Sequence, residues 1–292
     1  MCSSAKNLFP SSGDSGRPGY LSESGEESGN ASCVIPGTGW AFLPIMTSRI
    51  PAHHSFTMSL ALGDRIHSLA YSLGAGYYGV ADLAPARDFI LRQGGERIAR
   101  YPRAISIGMQ IPDDIVDLVP DSDAEAAVIY RHSGYEVLNQ ALDQVSVRVA
   151  RELQRAGYHA FPVPASRRTD DREIRSVFSH KLAAHLAGLG WIGKSCLLVT
   201  PDNGPRVRWV SVLTDAPLSV TGTPMEPRCG TCTACADTCP KGAITGRMFD
   251  PSEPREARLD AAACDQYFRE MEGKKGVAVC GLCLYACPYG KK

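Results

Sequence analysis

The chain has 292 residues, of which 44% are hydrophobic, and its 31 basic and 31 acidic residues cancel. This length and composition permit one sizeable folded domain together with a small one. Basic residues form no run longer than a pair, and no apolar run approaches the roughly 20 residues that span a bilayer, so we expect a cytoplasmic protein that binds neither DNA nor a membrane.

The first 57 residues predict an extension without a folded core. Residues 1–45 contain nine Ser, seven Gly and four Pro, with almost no periodic apolar pattern. Burial therefore cannot offset the entropy that ordering would cost, and we expect disorder over residues 1–57. The apolar stretch WAFLPIM is too short for a signal peptide and lacks a basic region before it. Met46 and Met58 are alternative candidates for the natural start.

Residues 58–222 predict a domain of mixed helices and strands. Apolar residues recur at helical spacing in some segments and alternate in others, as in RAISIGMQI. The pattern fits an α/β or an α+β arrangement and leaves the order of the strands open. Helices are predicted at 59–73, 135–156 and 170–187, and strands at 77–83, 103–111, 158–164, 196–200 and 206–215.

The stretch GLGWIGKS, residues 188–195, matches two phosphate-binding signatures at once. It reads as the G-x-x-x-x-G-K-S loop of nucleotide hydrolases, and its first six residues read as G-x-G-x-x-G. Both signatures need a strand before the glycines and a helix behind them. Here a helix comes first and a strand follows, and GAGYYG at 74–79 has the same reversed order. We expect a helix C-cap and a tight turn, and no phosphate at Lys194.

Eight of the eleven cysteines fall in the last part of the chain, residues 223–292. An odd total without a secretion signal favours metal ligation over disulfides. One run reads C-x2-C-x2-C-x3-C-P, which is the bacterial ferredoxin pattern, and a shortened C-x2-C-x3-C-P follows it. Structural zinc is the alternative, but zinc sites use separated C-x2-C pairs. Cys196, in a predicted strand, is expected to be a small buried hydrophobe.

Eight thiolates suit two [4Fe-4S] clusters. In paired sites of this kind the fourth cysteine of a run ligates the other cluster. We therefore expect one cluster on Cys229, Cys232, Cys235 and Cys287, and the other on Cys239, Cys264, Cys280 and Cys283. Cys264 is assigned by count and by the resemblance described next.

Several stretches together resemble the epoxyqueuosine reductase family. They are LGAGYYGVADL, YPRAISIG, GLGWIGKSCLLVT with VLTDAPL, CGTCTACADTCPKGAI, ACDQYF and CGLCLYACP, and they cover about residues 59–290. The resemblance implies an α+β fold: an N-terminal α/β-type substrate and cobalamin domain, then a bacterial-ferredoxin-like double [4Fe-4S] domain. It also implies reduction of an epoxide on a modified tRNA base. The corrinoid reductive dehalogenases are relatives of this family.

The resemblance further implies that cobalt receives electrons from the cluster held partly by Cys287 or Cys280. The Asp-x-His-x-x-Gly signature of His-ligated corrinoid proteins is absent from the sequence. This absence fits a cobalamin held without a protein imidazole.

Two positions depart from the family pattern. The family's proton-donating Asp lies 17 residues before the Trp of GWIGK, and this position is Ile174, which cannot donate a proton. The family Arg seven residues later corresponds to Lys181. We take Lys181 and His180 as the candidate catalytic residues. Asp170 and Asp171 lie about one helical turn from Ile174. They are the alternative acids, although a capping role is expected for them.

The leading hypothesis is an iron-sulfur reductase with cobalamin and an unidentified substrate, for which epoxyqueuosine in tRNA is the first candidate. Its electrons would come from a donor such as a ferredoxin or a flavodoxin. The chain ends at Lys292, where family members often continue into a tRNA-contacting segment. The alternatives are an electron carrier or reductive activator for a corrinoid partner protein, and a P-loop nucleotide-binding protein.

Overall fold

The computed structural model describes residues 52–121 and 123–291, with the backbone alone for residues 52–60. The described residues all belong to one compact unit. The predicted disordered extension lies outside them as far as residue 51, and the first helix begins at Ala52, before the predicted start at Ser59. The domain boundary predicted between residues 222 and 223 stays a prediction. None of the described helices combines the length and hydropathy that crossing a membrane needs.

Helices and strands alternate through the N-terminal part, and short helices separate the cysteines. The strands are β1 Tyr77–Asp82, β2 Arg103–Gln110, β3 Ala160–Val163, β4 Trp191–Ile192, β5 Leu198–Val199 and β6 Val207–Thr214. The helices are α1 Ala52–Ser72, α2 Arg87–Gly94, α3 Glu96–Ala99, α4 Asp113–Asp117, α5 Ala124–Arg131, α6 Leu138–Arg155, α7 His180–Leu186, α8 Ala234–Asp237, α9 Ala261–Lys275 and α10 Leu282–Tyr285, with a π-helical turn at His132–Val137.

Four strands form one sheet in the order β1-β2-β6-β3, and every pairing in it is antiparallel. The remaining two, β4 and β5, form a separate antiparallel hairpin. An antiparallel sheet with helices packed on its faces is an α+β arrangement, which confirms the predicted class. All five predicted strand segments contain a strand of the structure.

Both faces of the central sheet are buried. On one face Ile105, Ile107 and Val210 pack under α1 and α6 in the largest core cluster. On the other face Ala104 and Leu213 pack with α2, α3 and α7. Because helices cover both sides, β2 is buried at six consecutive positions and does not alternate between buried and exposed.

Small residues let α7 lie close to the sheet. A Cβ atom added to Gly79 of β1 would lie 2.9 Å from the Cβ of Ala187 and 3.1 Å from the Oγ1 of Thr221. The neighbouring helix positions Ala183 and Ala184 are fully buried. This tight packing fixes α7, whose first residues are His180 and Lys181.

The helix predicted at 170–187 begins only at His180, so the prediction for its first ten residues is wrong. Asp170 and Arg175 instead form an isolated antiparallel bridge. Ile174 has φ +50°, which a right-handed helix excludes. Arg255 donates hydrogen bonds to the carbonyl oxygens of Glu173 and Ile174, both at 3.0 Å. The side chain of Arg255, from a distant segment, therefore holds the main chain at residues 173–174. Local hydrophobic periodicity cannot predict such a contact.

Replacing Gly79 with Ala tests the close approach of α7. The new methyl group would meet Ala187, and overpacking of this kind typically costs about 1–3 kcal/mol of unfolding free energy. The matched control is Gly63→Ala in α1, where nothing lies within 4 Å of the added Cβ. That change should stabilise the protein by up to about 1 kcal/mol through helix propensity. Urea denaturation would measure both, and equal effects would contradict the packing described.

Candidate metal centre

The GLGWIGKS segment folds as a turn followed by a hairpin. Gly188, at φ +75°, follows α7, and β4 begins at Trp191. The Gly193 N-H donates to the Leu197 carbonyl at 2.9 Å, and the Cys196 N-H donates to the Gly193 carbonyl at 2.9 Å. No helix N-terminus stands behind the glycines, because β5 follows directly. This confirms the element order on which the prediction against a phosphate loop depends.

The turn of this hairpin, residues 193–197, faces the first cysteine run. A Cβ atom added to Gly193 would lie 2.8 Å from Val199 Cγ2 and 3.6 Å from the Sγ of Cys229. Lys194 is 7% exposed, and its Nζ donates a hydrogen bond to the Cys232 carbonyl at 3.0 Å. The segment that imitates a phosphate loop therefore forms a wall of the cysteine site.

One cavity joins cysteines from both runs. Its empty volume is about 370 Å³, including space open to solvent. Besides the turn residues and Val199, its lining contains Pro288, Tyr289 and four cysteines: Cys229, Cys232, Cys235 and Cys287. These are the four residues expected to ligate one cluster, so the structure brings that predicted set together, although Cys287 comes from the second run.

The other four predicted ligands are also neighbours. Burial, together with the nearby thiols of Cys280 and Cys239, raises the pKa of Cys264 to about 11. Burial also raises the pKa of Cys283 strongly, again with a contribution from Cys280 and Cys264. Thiols that would resist ionisation alone become thiolates when they bind a metal, because the metal charge stabilises the anion.

Among residues 52–121 and 123–291, no group of three or more His, Cys, Asp or Glu side chains is placed to hold a single metal ion. Four thiolates on one tetrahedral zinc would lie about 3.8 Å apart. In a four-iron cluster each thiolate binds a different iron and the sulfurs lie further apart, so the two kinds of site differ in the separation of their sulfurs.

The second cysteine run is fixed against the N-terminal part by backbone contact. A Cβ atom added to Gly204, between β5 and β6, would lie 2.4 Å from the backbone nitrogen of Gly290. The Tyr289 ring packs edge-on against Trp191 with 4.8 Å between centroids, and its hydroxyl donates to the Arg228 carbonyl at 3.0 Å. Trp191 therefore contacts the ends of both cysteine runs.

Lys181 contacts the turn of the same hairpin. Its Nζ donates to the Cys196 carbonyl at 2.7 Å. Burial lowers the pKa of Lys181, and the charges of Arg255 and Arg258 lower it further. Cys196 is 3% exposed, as expected, with a φ of +58° that presents its carbonyl to this lysine. The turn of residues 193–197 thus contacts both Lys181 and the four-cysteine cavity.

His180 is occupied at both ring nitrogens. Nε2 lies 3.0 Å from the Pro164 carbonyl, and Nδ1 lies 3.0 Å from the Ser211 hydroxyl. Since a carbonyl can only accept, Nε2 carries the hydrogen and Nδ1 accepts from the serine. Burial lowers the pKa of His180 to about 4. A neutral imidazole with both nitrogens bound serves packing, so its role as a catalytic acid stays a prediction without geometric support.

The acidic residues near Ile174 make local contacts. Asp170 accepts a hydrogen bond from the Glu173 N-H at 3.0 Å and pairs with Arg175 at 3.4 Å. This is the local capping contact that the sequence predicts, although it closes a turn and no helix follows directly. Asp171 is exposed.

Sequence reasoning missed two links to the cysteine site. Arg168 pairs with Asp265, the residue after Cys264, and so ties the loop after β3 to α9. Hydrogen bonds from Arg168 and Arg269 lower the pKa of Asp265. The other missed link is Lys194. Its position in the GLGWIGKS motif, three residues after Trp191, was the available signal, but that motif is typical of phosphate-binding loops.

Comparison with protein families bears on the C-terminal part. Residues 228–290 match the family described as a 4Fe-4S double cluster binding domain. The match confirms the two predicted [4Fe-4S] clusters, while the division of the eight cysteines between them stays a prediction.

Curated relatives over most of the chain are epoxyqueuosine reductases. That of Pseudomonas aeruginosa is 27% identical over 247 residues, which cover 79% of this chain and 63% of the relative. That of Vibrio cholerae is 27% identical over 75% of this chain and 58% of the relative. These matches confirm the resemblance seen in the motifs. The chain spans about three fifths of the length of these relatives.

Solved structures of two kinds share the fold. A catabolic reductive dehalogenase in complex with 3-bromo-4-hydroxybenzoic acid matches with a TM-score of 0.58 and 22% identity over 78% of this chain and 31% of that one. Another such structure is described as suggesting a mechanism for B12-dependent dehalogenation. An epoxyqueuosine reductase bound to an epoxyqueuosine-modified tRNA-Tyr stem loop matches with a TM-score of 0.52 and 19% identity over 80% of this chain and 66% of that one.

The position of Lys194 predicts that the chain does not bind ATP through this motif. Its ammonium is directed to the Cys232 carbonyl, and no helix N-terminus faces the glycines. Calorimetry should detect no ATP binding tighter than millimolar, about 4 kcal/mol. Micromolar, magnesium-dependent binding that is lost in Lys194→Ala would show that the motif is a phosphate loop after all.

Proposed function

We propose that this chain is an iron-sulfur reductase of the kind to which epoxyqueuosine reductases belong. Electrons enter from a one-electron donor such as a ferredoxin or a flavodoxin, pass through two [4Fe-4S] clusters and reach a corrinoid. The observation that carries the proposal is the cavity in which Cys287 joins Cys229, Cys232 and Cys235. A cluster bound there lies against the same turn that holds Lys181.

In the proposed ligand sets, the last cysteine of each run ligates the cluster that the other run mainly holds. Cys229, Cys232, Cys235 and Cys287 hold the first cluster, and Cys239, Cys264, Cys280 and Cys283 hold the second. We call these the first and the second cluster. The first set lines one cavity, and the thiols of the second set perturb one another's pKa values.

The region around α7 fits a corrinoid held without an imidazole ligand. His180 and His185 both use ring nitrogens in hydrogen bonds within the protein. The hydroxyl of Ser176, four residues before His180, and the indole nitrogen of Trp209 are buried without a partner. Such groups cost free energy unless a ligand or water satisfies them. When bound, a reduced corrinoid supplies a strongly nucleophilic cobalt, and the protein supplies orientation and protons.

Lys181 is the residue proposed to act on the substrate. Its lowered pKa makes the ammonium a better proton donor than an exposed lysine, and its charge stabilises an anion that develops beside it. A donor of this kind typically contributes about 2.7–4 kcal/mol to transition-state stabilisation. Ile174, in place of the family's acid, contributes no proton, so Lys181 is the proposed proton donor.

Epoxyqueuosine in tRNA is the first candidate substrate. The proposal draws on the names of the curated relatives and on the matched structure with a modified tRNA stem loop. The missing acid argues that turnover of this substrate is slow, or that the natural electrophile needs no proton at that position. The reaction class, reduction of an electrophilic substrate, is the same in both cases.

Protein purified without oxygen and supplied with cobalamin tests the proposal. We expect about eight irons per chain, retained corrinoid and reductive turnover. Lys181→Ala should lower the turnover rate by about 100- to 1000-fold, from the loss of one charged donor, while iron and corrinoid contents stay unchanged. Ile174→Asp should raise activity on epoxyqueuosine-containing tRNA.

Lys274→Ala is the matched control, because it removes the same charge from an exposed position at the end of α9. Equal losses in both variants would contradict the role of Lys181. Absence of iron would contradict the reductase itself. Fast conversion of epoxyqueuosine-containing tRNA by the unmodified chain would show that Ile174 does not slow turnover.

An electron carrier or reductive activator for a corrinoid partner protein is the second candidate. Ile174 favours it, because a chain without the acid has lost part of a reductase's chemistry. The distinguishing result is eight irons with no retained corrinoid.

A further inference from the structure

Lys194 is a buried cation without a carboxylate partner. It is 7% exposed, and its Nζ donates to the Cys232 carbonyl. In the part of the chain that the structure describes, it forms no ion pair. A charge taken out of water costs several kcal/mol unless an opposite charge lies near it. The described residues therefore provide no anion that neutralises this ammonium.

The cavity beside Lys194 can supply that anion. Lys194 lines the same cavity as the four cysteines of the first set. A [4Fe-4S] cluster on four thiolates carries a net negative charge, and one further electron makes it more negative. A cation in a low-dielectric wall stabilises the more negative state, which raises the reduction potential.

Two of the cations beside the second set are paired with carboxylates. Arg168, near Cys264, pairs with Asp265, and Lys241, two residues after Cys239, pairs with Glu270 at 2.6 Å. A paired cation contributes little net field at a neighbouring cluster.

A third cation, Lys275 beside Cys280, forms no ion pair among the described residues and donates to the Asp121 carbonyl at 3.1 Å. Lys275 is partly exposed, so solvent screens its charge more than that of the buried Lys194. The two sites therefore differ in the field that their unpaired lysines exert.

We propose that Lys194 is the charge-compensating residue of the first cluster and places its reduction potential above that of the second. One electron then moves from the reduced second cluster to the oxidised first cluster, so the second is oxidised by one electron and the first is reduced by one. The external donor restores the second cluster. The electron comes to rest on the cluster that lies against the turn contacted by Lys181. The inference depends on the proposed function for the presence of both clusters.

Potentiometric titration followed by EPR spectroscopy tests the inference on holoprotein with eight irons. Dithionite serves as the reductant. We expect two midpoint potentials, of which Lys194→Met lowers only the higher one. Lys194→Arg keeps the charge and should leave that potential close to its original value. Lys274→Met removes an exposed charge that solvent screens, and it should move neither potential.

Each other outcome has a defined meaning. If Lys194→Met loses half of the iron while Lys194→Arg keeps all of it, the cluster needs the charge and the inference stands. If both variants lose half of the iron, the side chain acts through shape and the inference fails. It also fails if the higher potential is unchanged in Lys194→Met. Wild-type protein without eight irons would instead overturn the proposed function.

Discussion

The hairpin of β4 and β5 pressed against the cysteine loops is the contact on which the site depends. Gly193 lies against Cys229, and an added Cβ would clash with Val199 of the same hairpin. Lys194 anchors the cysteine loop through its hydrogen bond to the Cys232 carbonyl. In the same turn, the Cys196 carbonyl accepts a hydrogen bond from Lys181. One five-residue turn thus fixes the distance between a redox centre and the proposed catalytic lysine.

The sheet keeps that turn in place. Small residues on one face let α7, the helix that carries Lys181, pack closely on the sheet, and a Cβ added to Gly79 would clash with Ala187 at its end. The backbones of Gly204 and Gly290 are in direct contact, which fixes the second cysteine run against the segment between β5 and β6. The buried core stabilises the sheet. The close contacts at the glycines then hold the cysteine loops in fixed positions against the sheet. A reductase needs such rigidity, because electron transfer depends on the separation of its centres.

The strands, the long helix α6 and the cysteine chemistry could be predicted from the sequence, because each depends on local spacing. The loop before His180 could not. Its conformation depends on Arg255, which lies about 80 residues away and binds two of its carbonyl oxygens. The role of Lys194 was hidden for a similar reason, since its partner is a backbone atom of a distant loop. The order of helix and strand around the motif excluded a phosphate-binding loop, but it did not indicate what Lys194 contacts.

Anomalous diffraction at the iron edge, from anaerobic crystals, tests the central claim most directly. The account predicts two four-iron clusters. One lies between Cys229, Cys232, Cys235 and Cys287, with the Lys194 ammonium beside it, and the other lies among the remaining four cysteines. A signal at the zinc edge in place of iron would contradict the account. So would a first cluster bound by Cys239 in place of Cys287, because the crossing of ligands between the runs would then be absent.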